Sequence, residues 1–580
     1  MTSTTCRVAD YIARFLADRG VRHVFVLPGG GAMHLNDGLA CETRLTPIPC
    51  HHEQACGIAA EAWGRVDGSF GVAMVTTGPG ATNIITPVTG AWIESVPMFV
   101  ISGQVKRADL LKGRPLRQSG VQEADIIPMV QGITNYAVTV EDPSLIRYHL
   151  ERAYHAMCTG RSGPVWLDIP LDVQAAPVDT ATLTGYTPPP RQSSQADDPA
   201  MLDKLVEMLT QAERPLILAG HGVIQSGAMP QVLALAERAQ IPVTCTLLGL
   251  GSFPASHELN LGMMGMHGEY FVNQSIQQAD LLIACGMRFD DRVTGSLATY
   301  APNAKKIHID IDPAEINKNV HVDIGLIGDL ARVLDLLLPQ LPSRDGSAWL
   351  KAIRTLKGDG AVRDIQNLPD NGHLYAAHVM LDLWRATCGE ALIATDVGQH
   401  QMWEAQYYKH EQPRSLVTSG GLGTMGFALP AAIGAKIACP NKEVWAIAGD
   451  GGFQMTSPEL ATIAQEKLDI NIAVINNGYL GMVRQWQEAF YEKNYQSSPI
   501  LSPDFVKLAD AYGIPGAAVR TRREVQQAVA EARARKGPFL INFLVEQEDS
   551  VYPMVPAGAG LHEMIRRPHG NPLVETASDI

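Results

Sequence analysis

Two short polar runs carry the clearest chemistry in this chain. Gly449-Asp450-Gly451-Gly452 closes one apolar run and Asn476-Asn477-Gly478-Tyr479 closes another. Residues 452 to 475, 24 in all, lie between Gly451 and Asn476, room for one crossover helix. Each polar run then sits at the carboxyl end of a strand, where open α/β sheets bind ligands. A carboxylate and amide oxygens there make a hard donor set suited to Mg²⁺, which completes its octahedron with phosphates and water. The neighbouring glycines let a phosphate approach the backbone. Gly-Asp-Gly alone reads equally well as a turn; the Asn-Asn after a second strand argues against that plainer reading.

Three other places invite a chemical reading. In His51-His52-Glu53-Gln54-Ala55-Cys56-Gly57 a carboxyl group opens a small, apolar helix face, a setting that suits proton exchange. A glutamate in a first helical turn also simply suits the helix dipole. Thr76-Thr77-Gly78-Pro79-Gly80-Ala81-Thr82-Asn83 is rich in glycine and hydroxyls after a strand, as a ligand loop or a tight turn would be. Gly220-His221-Gly222, Gly265-Met266-His267-Gly268, Gly286 to Arg292 and His308 to Asp312 all fall at strand ends; singly, such turns are weak evidence for a nucleotide.

The elements that must position these groups are strands alternating with helices. Short β-branched runs appear at Val24–Leu27, Gly71–Val75, Met98–Ile101 and Val165–Ile169, then at Leu216–Ala219, Val243–Leu247, Leu281–Ala284 and Lys306–Ile311. A third set follows at Leu392–Thr395, Val444–Ala448, Ile470–Ile475 and Phe539–Val545. The pattern predicts an α/β protein of three doubly wound parallel sheets. Pro177–Pro199 and Ser343–Asn371 change composition and read as linkers, giving domains at 1–178, 195–342 and 371–550, with a tail at 551–580. Arg161-Ser162-Gly163-Pro164-Val165 and Arg535-Lys536-Gly537-Pro538-Phe539 echo one another. If the echo is more than chance, the outer domains are related and the central one differs.

Composition narrows the function classes. Apolar residues make up 46% and charged residues 18% of 580, low enough in charge to predict surface buried between subunits. With 46 Lys+Arg against 60 Asp+Glu the net charge is -14, and no basic run with aromatics offers a nucleic-acid groove. Every apolar run is broken before the roughly 20 residues of a membrane span. The nine scattered cysteines show no metal or disulfide spacing. Val8, Tyr11, Ile12 and Phe15 recur at helical spacing where a secretory signal would stand; a cytoplasmic protein is expected.

Gly449-Asp450-Gly451 followed at this distance by Asn476-Asn477 resembles the thiamine diphosphate signature. Thr395-Asp396-Val397-Gly398-Gln399-His400-Gln401-Met402-Trp403, Ser419-Gly420-Gly421-Leu422-Gly423-Thr424-Met425-Gly426-Phe427, Gly481-Met482-Val483-Arg484-Gln485-Trp486-Gln487 and Val555-Pro556-Ala557-Gly558-Ala559-Gly560 are similar to the acetohydroxyacid (acetolactate) synthase branch, and the likeness spans nearly the whole chain. It implies a pyrimidine-binding first domain, a central Rossmann-like FAD-binding domain and a diphosphate-binding third domain, with the cofactor between two chains of a homodimer or homotetramer. By this resemblance Asp450, Asn477 and the Tyr479 carbonyl hold Mg²⁺. Gln399 and His400 contact the diphosphate, Met425 bends the cofactor, and Gly29, Gly30, Gly398, Gly423, Gly449, Gly451, Gly452, Gly481 and Met482 belong to the same cofactor site. Glu53 is implied as the activating carboxylate, with Gln122 and Thr77 positioning reacting groups. A non-redox FAD is implied at Gly220, His221, Gly222, Met266, His267, Gly286, Arg288, Asp290, Arg292, Asp310, Ile311 and Asp329.

The implied reaction decarboxylates pyruvate and hands its two-carbon unit to a second carbonyl. Trp486 and Arg292, the latter a bidentate partner for a carboxylate, favour a 2-keto acid as acceptor. Arg117-Gln118-Ser119-Gly120-Val121-Gln122-Glu123 departs from the synthase wording, because Val121 stands where the branch carries Phe. That segment, Leu27 to Gly38 and Ile146-Arg147-Tyr148-His149-Leu150 look more like relatives that build branched sugars, including the carboligase of yersiniose biosynthesis. The exchange either enlarges the acceptor pocket for a ketone or nucleotide-linked keto sugar, or is drift without consequence. Flavin-dependent pyruvate oxidation is the alternative activity, and a non-catalytic nucleotide-binding scaffold is a third class.

Overall fold

The computed structural model describes residues 5–190, 198–357, 368 and 372–567. Parts of both expected linkers and residues 568–580 of the tail lie outside them. Three six-stranded sheets follow one another along the chain, and every neighbouring pair within them is parallel. With the strands of each sheet counted from its own start, the first and third sheets share the order 2-1-3-4-6-5, whereas the central sheet runs 3-2-1-4-5-6. The two outer sheets are thus wound alike and the central one differently.

All twelve strands legible in the sequence are present within a few residues of their expected limits. The remaining six strands of these three sheets are Thr46–Pro49, Tyr136–Thr139, Asn260–Met263, Ile324–Ile327, Leu416–Thr418 and Gly516–Val519. These are the two edge strands of each sheet. Interior strands such as Gly71–Val75 and Leu281–Cys285 are buried on both faces and need continuous apolar runs. An edge strand is short and half covered, so its sequence carries a weaker signal.

Segments expected as linkers hold structure at their ends. Pro177–Asp179 pairs antiparallel with Thr5–Arg7, tying the end of the first domain to its start. Within 343–371, Ser347–Lys357 is a helix that buries Trp349, Leu350 and Ile353 against the central domain. Its apolar residues recur at helical spacing among many charges, a pattern that composition alone obscures.

The outer domains share one apolar core, with Phe25, Ile48, Trp166, Ala394, Ala446 and Phe453 in a single cluster. At its centre the helix Glu53–Asp67 packs on Ala428–Ala438, whose eleven residues are all buried. Small side chains permit that approach, since a Cβ on Gly434 would stand 2.0 Å from the Ala59 carbonyl oxygen; one on Gly57 would stand 2.3 Å from Pro87 of the neighbouring helix Ile85–Ile93. Helices that are apolar all round belong in an interior, which accounts for part of the low charge content. Among the described residues no helix is long and apolar enough to cross a membrane.

Candidate active site

In the third sheet, strands Leu392–Thr395, Val444–Gly449 and Asn471–Asn476 lie side by side. Their carboxyl ends bring Asp396, Asp450 and Asn477 to one rim. Asp450 is buried; its Oδ2 accepts the Gly478 N–H at 2.9 Å and the Ser502 hydroxyl at 2.7 Å. These bonds join the two polar runs. Asn477 Oδ1 accepts the Tyr479 N–H at 3.1 Å, and its Nδ2 donates to Gln399 Oε1 at 3.2 Å. Burial pushes the Asp450 carboxyl up to about 6, because nothing cationic offsets its desolvation. A carboxylate with an amide oxygen on the same rim would suit Mg²⁺ in charge and hardness.

The glycines of this rim make room for side chains as much as for a ligand. A Cβ on Gly449 would stand 2.9 Å from the His400 ring, one on Gly452 2.4 Å from Asp396 Oδ2, and one on Gly481 2.1 Å from Gln399 Oε1. Gly451 would likewise meet Leu480 at 2.6 Å, with the Met425 methyl 3.6 Å away, so Met425 lies over the Gly-Asp-Gly turn. His400 Nε2 accepts the Gly449 N–H at 3.2 Å, and burial lowers the ring to about 4, leaving it neutral at pH 7. Gln399 Nε2 donates to Gln485 Oε1 at 3.0 Å and to the Asp549 carbonyl at 3.1 Å, while Gln485 brackets the Val551 backbone. Gly398 (φ 151°) and Gly423 (φ 78°) adopt backbone that L side chains resist.

The first domain assembles a second group. Glu53 opens its helix, buried, with Oε2 accepting Asn83 Nδ2 at 2.9 Å. The Thr77 hydroxyl donates to Gln104 Oε1 at 2.9 Å and lies 3.1 Å from the Gln122 carbonyl. Gln122 has φ 66°, and its carbonyl leaves no space for a Cβ on Gly78. Gly29 and Gly31 press on Thr76 and Thr77, whereas Gly30 faces open space. Behind them Asp168 accepts Ser102 Oγ at 2.6 Å, Gln104 Nε2 at 3.1 Å and Thr139 Oγ1 at 3.1 Å. Burial raises that carboxyl to about 7. Val121, beside Gln122, is 87% exposed.

A cavity of about 1760 Å³ is lined by the central and third domains and, through Ile93 to Ser95 and Cys158 to Ser162, by the first. On the central side it is lined by His221, Gly222, Met266, His267, Gly286 and Arg288, then by Asp290, Arg292, Asp310, Ile311 and Asp329. Gly220 alone of the expected set stands behind it, packed on the Gly286 carbonyl. On the third-domain side the wall includes Gly398, Gly423, Met425, Met482 and Trp486. Burial lowers both His221 and His267 to about 4. The Arg292 guanidinium lies 6.0 Å from the Trp486 ring centroid, and the tail reaches the same place through Val555 N–H to the Met266 carbonyl at 2.8 Å. Val121, Gln122, Thr77 and Glu53 are not among the residues that line this cavity.

Three family profiles match in order. Residues 6–129 match the N-terminal TPP binding domain of thiamine pyrophosphate enzymes, 202–337 the central domain and 396–543 the C-terminal TPP binding domain. The chain belongs to the thiamine pyrophosphate enzyme family. Within it, the acetolactate synthase large subunit of Corynebacterium glutamicum is 42% identical over 572 residues, covering 95% of this chain and 88% of that one. The large subunit of Lactococcus lactis is 40% identical over 562 residues, covering 96% of each. A probable large subunit from Methanocaldococcus jannaschii is 40% identical over 574, covering 96% and 95%. The protein is an acetolactate synthase-like member of the family.

Some residues that build this thiamine pyrophosphate enzyme site carried no assigned role in the sequence reading. Asp396 follows its strand as Asp450 does, and its Oδ1 accepts Val397 and Gly426 N–H at 2.8 Å each; that parallel was available in the sequence. Gln485 stands within Gly481 to Gln487, but nothing in that run signals its bonds to Val551 of the tail. Ser502, Gln104 and Asp168 reach the site from segments with no motif.

Proposed function

We propose that this chain is a carboligase that decarboxylates pyruvate and transfers the two-carbon unit to a second 2-keto acid, giving acetolactate when that acid is pyruvate. The observation that carries the reading is the bonded junction of Gly449–Gly452 with Asn476–Tyr479 beneath Met425, in a chain of which 95–96% matches acetolactate synthase large subunits. Asp450, Asn477 and the Tyr479 carbonyl would hold Mg²⁺, and Gln399 with neutral His400 would orient the diphosphate. Thiamine diphosphate bound there would supply the electron sink that decarboxylation needs. Glu53 would hold and return a proton at the pyrimidine N1′, and Thr77 and Gln122 would orient the reacting carboxylate and carbonyl. Arg292 and Trp486 would receive the acceptor.

A second copy of the chain completes the site in this reading. Its support is that Glu53 does not line the cavity whose wall bears Met425, together with exposed apolar side chains near each group in the chain. Val121 adjoins Gln122 and Leu116 lies six residues before it; Leu501 adjoins Ser502, which bonds Asp450, and Met455 follows Asp450 in its helix. FAD would occupy the central side of the cavity without taking electrons, next to His221, Gly286 and Asp310. A ketone or keto sugar as a further acceptor is favoured by one observation, the aliphatic and exposed Val121. Product analysis with pyruvate and a panel of acceptors, under an oxygen electrode, tests these readings. Acetolactate without oxygen uptake is expected; oxygen uptake with flavin bleaching by pyruvate would favour oxidation and sink the carboligase.

A further inference from the structure

The loop Ser419–Met425 has no helix or strand to satisfy its backbone, yet four successive N–H groups in it are paired. Gly423 and Thr424 donate to Ser419 Oγ, each at 3.1 Å. Gly421 and Leu422 donate to Glu94 Oε1, at 2.9 and 3.3 Å. Glu94 belongs to the first domain, at the end of the helix Ile85–Ile93. Its carboxylate is buried and its other oxygen pairs with Arg65. Arg65, also buried, donates through Nε to Glu61 at 3.2 Å and through Nη1 to the Thr418 carbonyl at 3.3 Å.

The packing around this carboxylate is tight. A Cβ on Gly421 would stand 3.0 Å from Glu94 Cγ and 2.8 Å from Ile93, and one on Gly420 2.9 Å from Leu248 of the central domain. Arg414 donates to the Arg65 carbonyl at 2.8 Å and to the Ile224 carbonyl at 3.1 Å. First, central and third domains therefore meet at the loop. Glu94 and the loop line the same cavity, and the loop ends on Met425. An N–H bonded to a carboxylate is held more firmly than one bonded to a neutral acceptor, and a buried N–H left without any acceptor is costly.

We propose that Glu94, clamped by Arg65, is a positioning residue: a first-domain carboxylate that fixes the third-domain loop 419–425 and, through it, the placement of Met425 over Gly451. The effect on turnover rests on the carboligase reading; the effect on the loop does not.

The test is hydrogen exchange by mass spectrometry on the full chain without substrate. In Glu94→Ala the peptide covering 419–425 is expected to exchange about tenfold faster or more, the loss of one charged hydrogen bond, while peptides over 444–449 and 471–476 keep their protection. Glu94→Gln, which retains an acceptor but turns an amide toward Arg65, is expected to fall between. Glu61→Gln touches no loop amide and is expected to leave loop exchange unchanged. In turnover, Glu94→Ala should lower kcat about tenfold with the KM for pyruvate nearly unchanged. Unchanged loop exchange in both Glu94 variants, or faster exchange spread over all three sheets, would overturn the proposal, as would a raised KM at parental kcat. A parent that makes no acetolactate would fail the carboligase reading while leaving the exchange result to decide on Glu94.

Discussion

At three matching strand ends the two outer sheets, wound in the same order, hold opposite chemistry. The first, third and fourth strands of the third sheet end in Asp396, Asp450 and Asn477. The same strands of the first sheet end at Gly29-Gly30, Thr76-Thr77 and Gln104. One winding thus presents carboxylates and an amide in one domain, and hydroxyls, an amide and bare backbone in the other. Topology supplies the rim; the side chains at the rim decide what it holds. In the proposed reading the third-domain rim would hold a cation and phosphate, and the first-domain rim an uncharged ring met by the helix-borne carboxylate of Glu53. Buried charge follows the same division. Asp450 is pushed up to about 6 with one hydroxyl and backbone N–H donors, a deficit that a cation would remedy. Asp168 in the first domain is pushed up to about 7 among Ser102, Gln104 and Thr139, neutral partners that hold it in place.

The contrast breaks first at Asp450. Asp450→Ala removes the anionic oxygen of the third rim, and Mg²⁺-dependent binding of thiamine diphosphate by calorimetry should weaken about a hundredfold or more. Glu53→Gln should do the reverse, leaving cofactor affinity near the parent value while turnover falls ~10² to 10⁴. Turnover within about tenfold of the parent would remove Glu53 from the proton transfer. Val121→Phe sharpens the comparison within the first rim. If Val121 admits a bulky ketone, the variant should lower ketone addition relative to acetolactate by about tenfold, a difference worth ~1–3 kcal/mol per methylene; equal product ratios would leave Val121 without a role.

The smallest effect concerns the seam between the outer domains. Glu61 is buried beside Arg65 and Glu94, and burial raises its carboxyl from 4.5 to about 7. Folding therefore favours its protonated form, so its contribution is complete below about 4.5 and lost as pH rises through about 7. The Tm should fall as pH rises from about 4.5 to about 7 and level off above that, and Glu61→Gln should flatten that slope. A slope unchanged in the variant would assign the pH dependence to other groups.

What the sequence disclosed follows burial. Strands covered on both faces, such as Leu392–Thr395, announced themselves as apolar runs, while edge strands such as Leu416–Thr418 and Gly516–Val519 did not. Site residues inside compact local motifs, Asp450 and Asn477 among them, were legible because spacing and strand ends act over short distances. Ser502, Asp168 and Glu94 were not, because each works through a partner more than fifty residues away. The helix Ser347–Lys357 was masked by its charges, although Trp349, Leu350 and Ile353 fall on one face.

The central claim is that the two rims act together across two chains. The direct test pairs Glu53→Gln with Asp450→Ala, each chain carrying a different tag, and purifies the mixed species. If each site draws Glu53 from one chain and Asp450 from the other, a mixed dimer holds one site with both defects and one intact site, and should show about half the parent's acetolactate formation. If both rims of a site came from the same chain, every site in the mixed species would carry a defect, and activity no higher than that of the separate variants would contradict the account.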